Sequence, residues 1–184
     1  KPQKLFQVDH HMGIAAAGYI PDARGQVNDI RFFSQSSKLV YDEPVDVEMV
    51  ARHTADQFQH YTQYAGVRPM GVALIIGGVD NNGNALFLVD PSGTYVAYNA
   101  VAIGANSDIV TEFLKKEYKP DMTIDEGCML AIAAIYLASE IKKGTEHIKI
   151  SQIRSDTKRF EIIDDEHLTK LAQTTTVKYP TEQK

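Results

Sequence analysis

Residues 70–80, MGVALIIGGVD, are where the chain changes character. The run is apolar, bounded by Pro69 and by Asn81-Asn82-Gly83-Asn84. It is too short and too rich in β-branched residues for a helix, so it reads as a buried strand. The four-residue Asn/Gly cluster is a hairpin signal, and NALFLVD (residues 84–90) follows it as a second strand. Pro91-Ser92-Gly93 is a second turn, leading into TYVAYNAVAIG (residues 94–104). Together these make a three-strand meander.

Upstream, residues 5–8 and 12–17 read as two short extended runs. Pro21 opens a helix to about residue 39, because proline suits a first turn where an N–H has no helical partner. Val27, Ile30 and Phe33 or Ser34 form its inward stripe. Asp46 is an N-cap for a second helix, with Val47, Val50, Thr54, Phe58 and Tyr61 on one face. That helix ends near Tyr64, before the stop signal Gly66. Downstream, Asn106 or Ser107 caps a third helix with Ile109, Val110, Phe113 and Leu114 inward. Thr123-Ile-Asp-Glu126 is a capping box opening a fourth helix to about residue 141. GCMLAIAAIYLA (residues 127–138) is apolar almost all round, so this helix is expected to be covered on more than one side. Residues 147–153 and 160–163 form a last hairpin, and Asp164-Asp165 caps a short helix to Ala172. Runs of strands alternating with runs of helices indicate a layered α+β fold, not a doubly wound parallel sheet. One domain is expected over residues 1–172, with 173–184 a flexible polar tail.

Composition narrows the function classes. The net charge is −5 over 184 residues, and no lysine-arginine stripe is present. Neither nucleic acid nor an anionic membrane is therefore expected as a partner. No apolar run reaches the roughly 18 residues of a membrane span. A single cysteine, Cys128, excludes an intrachain disulfide framework and fits a cytoplasmic location.

Candidate chemistry is thin. Ser92 joins strand to strand, whereas a nucleophile elbow needs a strand-to-helix turn. Ser107, after Gly104-Ala105-Asn106, lies where a helix begins but has one glycine and no lysine nearby, so capping explains it better than a phosphate loop. Asp9-His10-His11 looks like a metal cluster, but neighbouring strand residues point to opposite faces. A polar strand end is expected instead, and no metal or cofactor. His53 and His60 lie about 10.5 Å apart by helical rise, too far for one zinc. Cys128 falls in an apolar helix, where thiols are inert.

Several long motifs, in one register, resemble the α-type subunits of the 20S proteasome, archaeal members above all. They are KLFQVDHHMGIAAAGYIPDAR (residues 4–24), YTQYAGVRPMGVALIIGGVD (61–80), LFLVDPSGTYVAYNAVAIG (86–104) and EFLKKEY (112–118). The resemblance runs from about Lys4 to about Leu171. It implies the four-layer αββα sandwich of N-terminal-nucleophile hydrolases, in which Ser92 and Ser107 are both structural. The family's gating tail, short helix and first strands have no counterpart in this sequence, so a fragment or processed chain is expected.

The resemblance implies a non-catalytic subunit. Seven copies would form an outer ring that stacks on proteolytic β-subunits, restricts substrate entry and docks an ATPase or other activator. One rival is a β-type subunit with an N-terminal threonine nucleophile, whose free α-amine acts as base. This chain starts with Lys1, and it carries Gly104-Ala105-Asn106 where β-type subunits have a Gly-Ser-Gly stretch. A second rival is a free-standing binding domain. In the family, an activator's C-terminal peptide enters between adjacent α-subunits and its carboxylate meets a pocket lysine. The register implies Lys4 for that lysine and Gly18 for the pocket glycine. Tyr19 stands where archaeal relatives often have leucine. Arg68, held extended by Pro69, is expected in a fixed ion pair or carbonyl contact near a subunit boundary.

Overall fold

The computed structural model describes residues 3–140 and 144–180. The chain divides into two compact units. The first comprises the residues up to 99 together with 153–160, and the second comprises 100–152 together with those from 161 on. The α+β class read from the sequence is the one observed.

The first unit is built on an antiparallel sheet of β1 (Leu5–Asp9), β2 (Met12–Gly18), β3 (Val72–Asp80), β4 (Gly83–Val89) and β5 (Tyr95–Ala97), in that spatial order. The meander is present, but β5 keeps only three residues of the expected strand. In β3, Val72, Leu74 and Ile76 alternate into the core, as period-2 side-chain geometry requires. The register sets Ile14 against Ile76 and Ile76 against Phe87, so one apolar row crosses three strands.

Two helices cover the sheet, α1 (Ile20–Tyr41) and α2 (Val47–Gln63). Val27, Ile30 and Ser34 are the buried stripe of α1, and Val47, Val50, Thr54 and Phe58 that of α2. Tyr61, expected on the same face, is instead 38% exposed. Asp46 occupies the N-cap position of α2 but its side chain makes no capping bond. The Val47 N–H donates instead to Asp80 Oδ2 at 2.9 Å. A buried carboxylate from the end of β3 therefore meets the positive end of the α2 dipole.

The second unit contains α3 (Ser107–Glu117), α4 (Ile124–Ala138) and α5 (Asp165–Lys178), with α4 packed on both others. Strands β6 (Ser151–Ile153) and β7 (Phe160–Ile162) pair as a hairpin. Its tip, residues 153–160, groups with the first unit. Ile132, Tyr136, Ile148, Ile150, Leu168 and Leu171 form the core here. The capping box is complete: Thr123 accepts from the Glu126 N–H, and Glu126 accepts from the Thr123 N–H.

Three further expectations need correction. Ile109 is not inward but 54% exposed, and Val110 is the only buried residue of α3. Helix α4 stops at Ala138; residue 141, where it was expected to end, lies outside the described residues. Helix α5 runs through Lys178 rather than ending at Ala172, so the polar segment from 173 is helical that far. Thr175 explains the difference. It is buried, and its hydroxyl donates to the Leu171 carbonyl, so a residue polar in the sequence belongs to the packed face. Of the expected tail, residues 181–184 lie outside the described residues.

Candidate functional site

The sequence-predicted residues converge at the end of β2. Gly18 takes φ +120°, a conformation L side chains rarely adopt, and a Cβ there would run into the Gly71 carbonyl oxygen. That carbonyl accepts from the Tyr19 N–H at 2.7 Å. Tyr19 is also the N-cap residue of α1, and its own carbonyl accepts from the Asp22 N–H at 3.1 Å. The backbone therefore turns from strand to helix within two residues, locked by the segment before β3.

Asp22 ties the corner together, and sequence reasoning missed it. Its Oδ2 accepts from Arg68 Nη1 at 2.7 Å, and its Oδ1 from Nη2 at 2.9 Å. The Gly71 N–H donates to Oδ2 at 2.9 Å. The Arg68 guanidinium also donates to the Pro69 carbonyl and lies 5.3 Å from the Tyr19 ring centroid. The expected fixed ion pair and carbonyl contact of Arg68 are both present. The two Arg68 bonds hold the Asp22 carboxyl below the usual carboxylate range, against the opposing effect of burial. The detectable signal for Asp22 was its place in the first turn of α1, where a carboxylate favours the helix dipole.

Lys4 immediately precedes β1, the strand beside β2. Its carbonyl accepts from the Ala16 N–H at 2.9 Å, so it stands opposite Ala16, two residues before Gly18. Two residues of strand span about 7 Å. Lys4, Gly18 and Tyr19 are all exposed at this end of the sheet. Beside them a groove of about 770 Å³ opens between α1 and α2, lined by Asp22, Gln26, His60, Tyr64 and Arg68 among others.

Farther along α1, Phe32, Leu39, Val40 and Tyr41 are 74%, 88%, 74% and 66% exposed. Phe32 and Leu39, about two turns apart, share one side of the helix as an uncovered apolar stripe, whereas Val40 and Tyr41 point to other sides of it.

The remaining candidates resolve as follows. Ser92 sits in the Pro91-Ser92-Gly93 turn, its N–H and hydroxyl both donating to Asp90 Oδ1, and Gly93 takes φ +87°. Ser107 is the first residue of α3, with Asn106 at the N-cap donating its amide to the Ala138 carbonyl. His53 pairs with Asp29 at 2.9 Å and stacks on Phe33, while His60 meets Tyr64 edge-on. Burial pushes the Cys128 thiol up to about 11.

Asp9-His10-His11 does not behave as expected. His10 and His11 occupy the bend between β1 and β2 rather than alternating along a strand, so the opposite-faces argument fails. One ligand atom from each of the three residues lies within 4.8 Å of the other two. Burial pushes the Asp9 carboxyl up, but the Ser34 hydroxyl, the His10 N–H and the nearby His11 outweigh it and hold it below its ordinary range.

The family model described as "Proteasome subunit" matches residues 1–153. The chain is 40% identical over 166 residues to the proteasome subunit alpha of Methanothermobacter thermautotrophicus, covering 90% of this chain and 67% of the relative. Against that of Methanosarcina acetivorans it is 39% identical, covering 93% and 69%. Against that of Methanocaldococcus jannaschii it is 41% identical, covering 93% and 65%. It therefore spans about two thirds of the length of these relatives. The strand-to-helix corner at Gly18 and Tyr19 lies inside the matched region, and the chain belongs to the proteasome subunit family, among its α-type, archaeal-like members.

Proposed function

We propose that this chain is a non-catalytic α-type subunit of the 20S proteasome, working in the ring that restricts substrate entry and docks an activator. The observation that carries the assembly reading is the uncovered apolar face of α1. Phe32 and Leu39, about two turns apart on one side of the helix, are 74% and 88% exposed. Covering them against other subunits stabilises the assembly by roughly 25 cal/mol per Å² of apolar surface removed from water. Protein degradation in the cytoplasm is the setting this role implies.

The finer reading places an activator's C-terminal peptide at Lys4, Gly18 and Tyr19. A carboxylate leaving water needs a charged donor, and Lys4 offers one beside a corner fixed by the Tyr19–Gly71 and Asp22–Arg68 contacts. Glycine at position 18 lets the backbone take φ +120° with the Gly71 carbonyl packed against it, which fixes the corner that the peptide would approach. Arg68, beside the groove, would mark the boundary with a neighbouring subunit.

The test is co-assembly of the full-length subunit with archaeal β-subunits, read by native mass spectrometry. Phe32→Asp with Leu39→Asp should abolish the high-mass species while leaving the thermal midpoint of the free subunit unchanged. Full assembly by this variant would remove α1 from the interface. Turnover of a fluorogenic peptide by the isolated chain would overturn the non-catalytic reading in favour of a β-type enzyme. In assembled particles, Lys4→Ala should weaken a titrated activator C-terminal peptide by roughly ten- to hundredfold. Unchanged affinity would remove Lys4 from the pocket.

A further inference from the structure

We propose that Asp9, His10 and His11 form a binding site for a zinc-class divalent cation, which clamps the β1–β2 turn onto α1 and the α1–α2 connection. Three features of the turn carry the assignment, and none depends on the proteasome reading.

The first is an orphaned nitrogen. His11 is 1% exposed, and its Nε2 lies 2.8 Å from the Val45 carbonyl. A carbonyl only accepts, so Nε2 carries the proton and, in the neutral ring, Nδ1 is left with a bare lone pair. Nδ1 has no hydrogen-bond partner among the described residues. It faces Asp9 Oδ1 at 3.8 Å. A buried lone pair aimed at a carboxylate is unfavourable unless something positive lies between them. The arrangement, with one ring nitrogen donating to a backbone carbonyl and the other left open, is that of metal-ligating histidines.

The second is the ligand set. Two imidazoles and one carboxylate suit zinc and its first-row neighbours rather than calcium or magnesium, which prefer oxygen alone. A tetrahedral zinc with bonds of about 2.0–2.1 Å keeps its ligand atoms roughly 3.4 Å apart. Asp9 Oδ1 lies 2.9 Å from His10 Nδ1 and 3.8 Å from His11 Nδ1, on either side of that value. On binding, the cation would displace the proton that His10 Nδ1 now shares with Asp9, and the neutral ring would take up a proton on Nε2 from solvent, so that it ligates as a neutral imidazole. His10 has half its side chain exposed, which gives the ion an entry path and leaves room for a water as fourth ligand.

The third is the way the triad is held. Asp9 Oδ2 accepts from the Ser34 hydroxyl of α1, and the backbone N–H of His10 donates to Oδ1. The His11 carbonyl accepts from the Val79 N–H of β3, and the His10 carbonyl from the Phe160 N–H at the hairpin tip. Both ends of the turn are thus anchored to neighbouring elements. An ion here would join that network and stiffen the connection between β1, α1 and the start of α2.

The experiment is a cobalt titration of the full chain after EDTA treatment and desalting, followed by visible absorption, with zinc competition and thermal melts alongside. One equivalent of Co²⁺ should give the intense visible bands of a four-coordinate site. Zinc should abolish those bands and raise the thermal midpoint. His11→Ala leaves a hole in a packed region and risks unfolding, so the deciding variant is His10→Ala at the exposed position. It should keep the metal-free midpoint and lose at least tenfold in cobalt affinity. Absence of a stoichiometric cobalt spectrum, or equal affinity in His10→Ala, would overturn the proposal and leave a proton on His11 Nδ1 as the occupant.

Discussion

Gly18→Ala is the substitution that the corner at the end of β2 should tolerate least. The cost has two parts. A side chain at φ +120° is strained whatever the surrounding space, by about 1–2 kcal/mol. The new methyl group would also run into the Gly71 carbonyl, a backbone atom that cannot rotate away. Moving that carbonyl breaks its 2.7 Å bond from Tyr19 N–H, worth about 1 kcal/mol. The sum is about 2–3 kcal/mol. With a urea slope of about 2 kcal/mol per molar, the unfolding midpoint should fall by about 1–1.5 M. Gly25→Ala supplies the contrast. Gly25 lies within α1, its φ is not positive, and a Cβ there meets nothing within 4 Å. Replacing it should raise stability by about 0.5–1 kcal/mol through helix propensity alone. Two Gly→Ala changes seven residues apart should therefore move the midpoint in opposite directions. Hydrogen exchange at the Tyr19 amide should accelerate only in Gly18→Ala. A Gly18→Ala midpoint within about 0.3 M of the parent would refute the reasoning.

Two further outcomes follow from the titrating groups. The Asp22 carboxyl is depressed in the fold, so its contribution is present above the unfolded value near 3.8 and lost as pH falls through the lower folded value; Asp22→Asn should be less stable than the parent at pH 7, with the difference closing below pH 4 in acid-unfolding curves. Cys128 is raised from 9.0 to about 11, so the fold favours the neutral thiol and stability should decline as pH climbs from 9 to 11, a decline absent in Cys128→Ala; iodoacetamide at pH 8 should label the native chain far more slowly than the urea-unfolded one.

Much of the fold was legible because local chemistry and tertiary contacts agree there. The Thr123–Glu126 box and the Asn-Gly hairpin before β4 are complete within a few residues of sequence, and both form as read. Residues whose roles depend on distant partners were not legible. Asp80 caps α2 from the far end of β3, which no reading of residues 43–47 could show. Asp22 and Arg68 are 46 residues apart, and only the first carries a local signal. His10 and His11 were misread for a different reason. The strand period was extended two residues into a bend, and period-2 alternation fails where the ladder ends. The α-type register, by contrast, was legible from long motifs, and the family match bears it out.

Helix α4 shows where periodicity is silent, and it supplies a last prediction. Between Cys128 and Ala138 every residue is apolar except for the Tyr136 hydroxyl, so no polar face marks the outside. From sequence, Ile132 and Ile135 are equivalent. In the fold they are not: Ile132 is 0% exposed within the second core, whereas Ile135 is 38% exposed. The three-residue offset turns Ile135 about 60° away from Ile132 around the axis, and the neighbours of α4 stop covering it. The expectation that this helix is covered on more than one side therefore does not extend to Ile135. Ile132→Asp would place an unpaired carboxylate among Tyr136, Ile148 and Leu168 and should destabilise the free chain by about 4 kcal/mol or more. Ile135→Asp leaves its carboxylate in water and should cost about 1 kcal/mol or less, mostly the weaker helix propensity of aspartate. Thermal melts of the free chain decide it: a large loss should appear in the Ile132 variant alone. Equal losses in both would mean that α4 is covered on the Ile135 side as well.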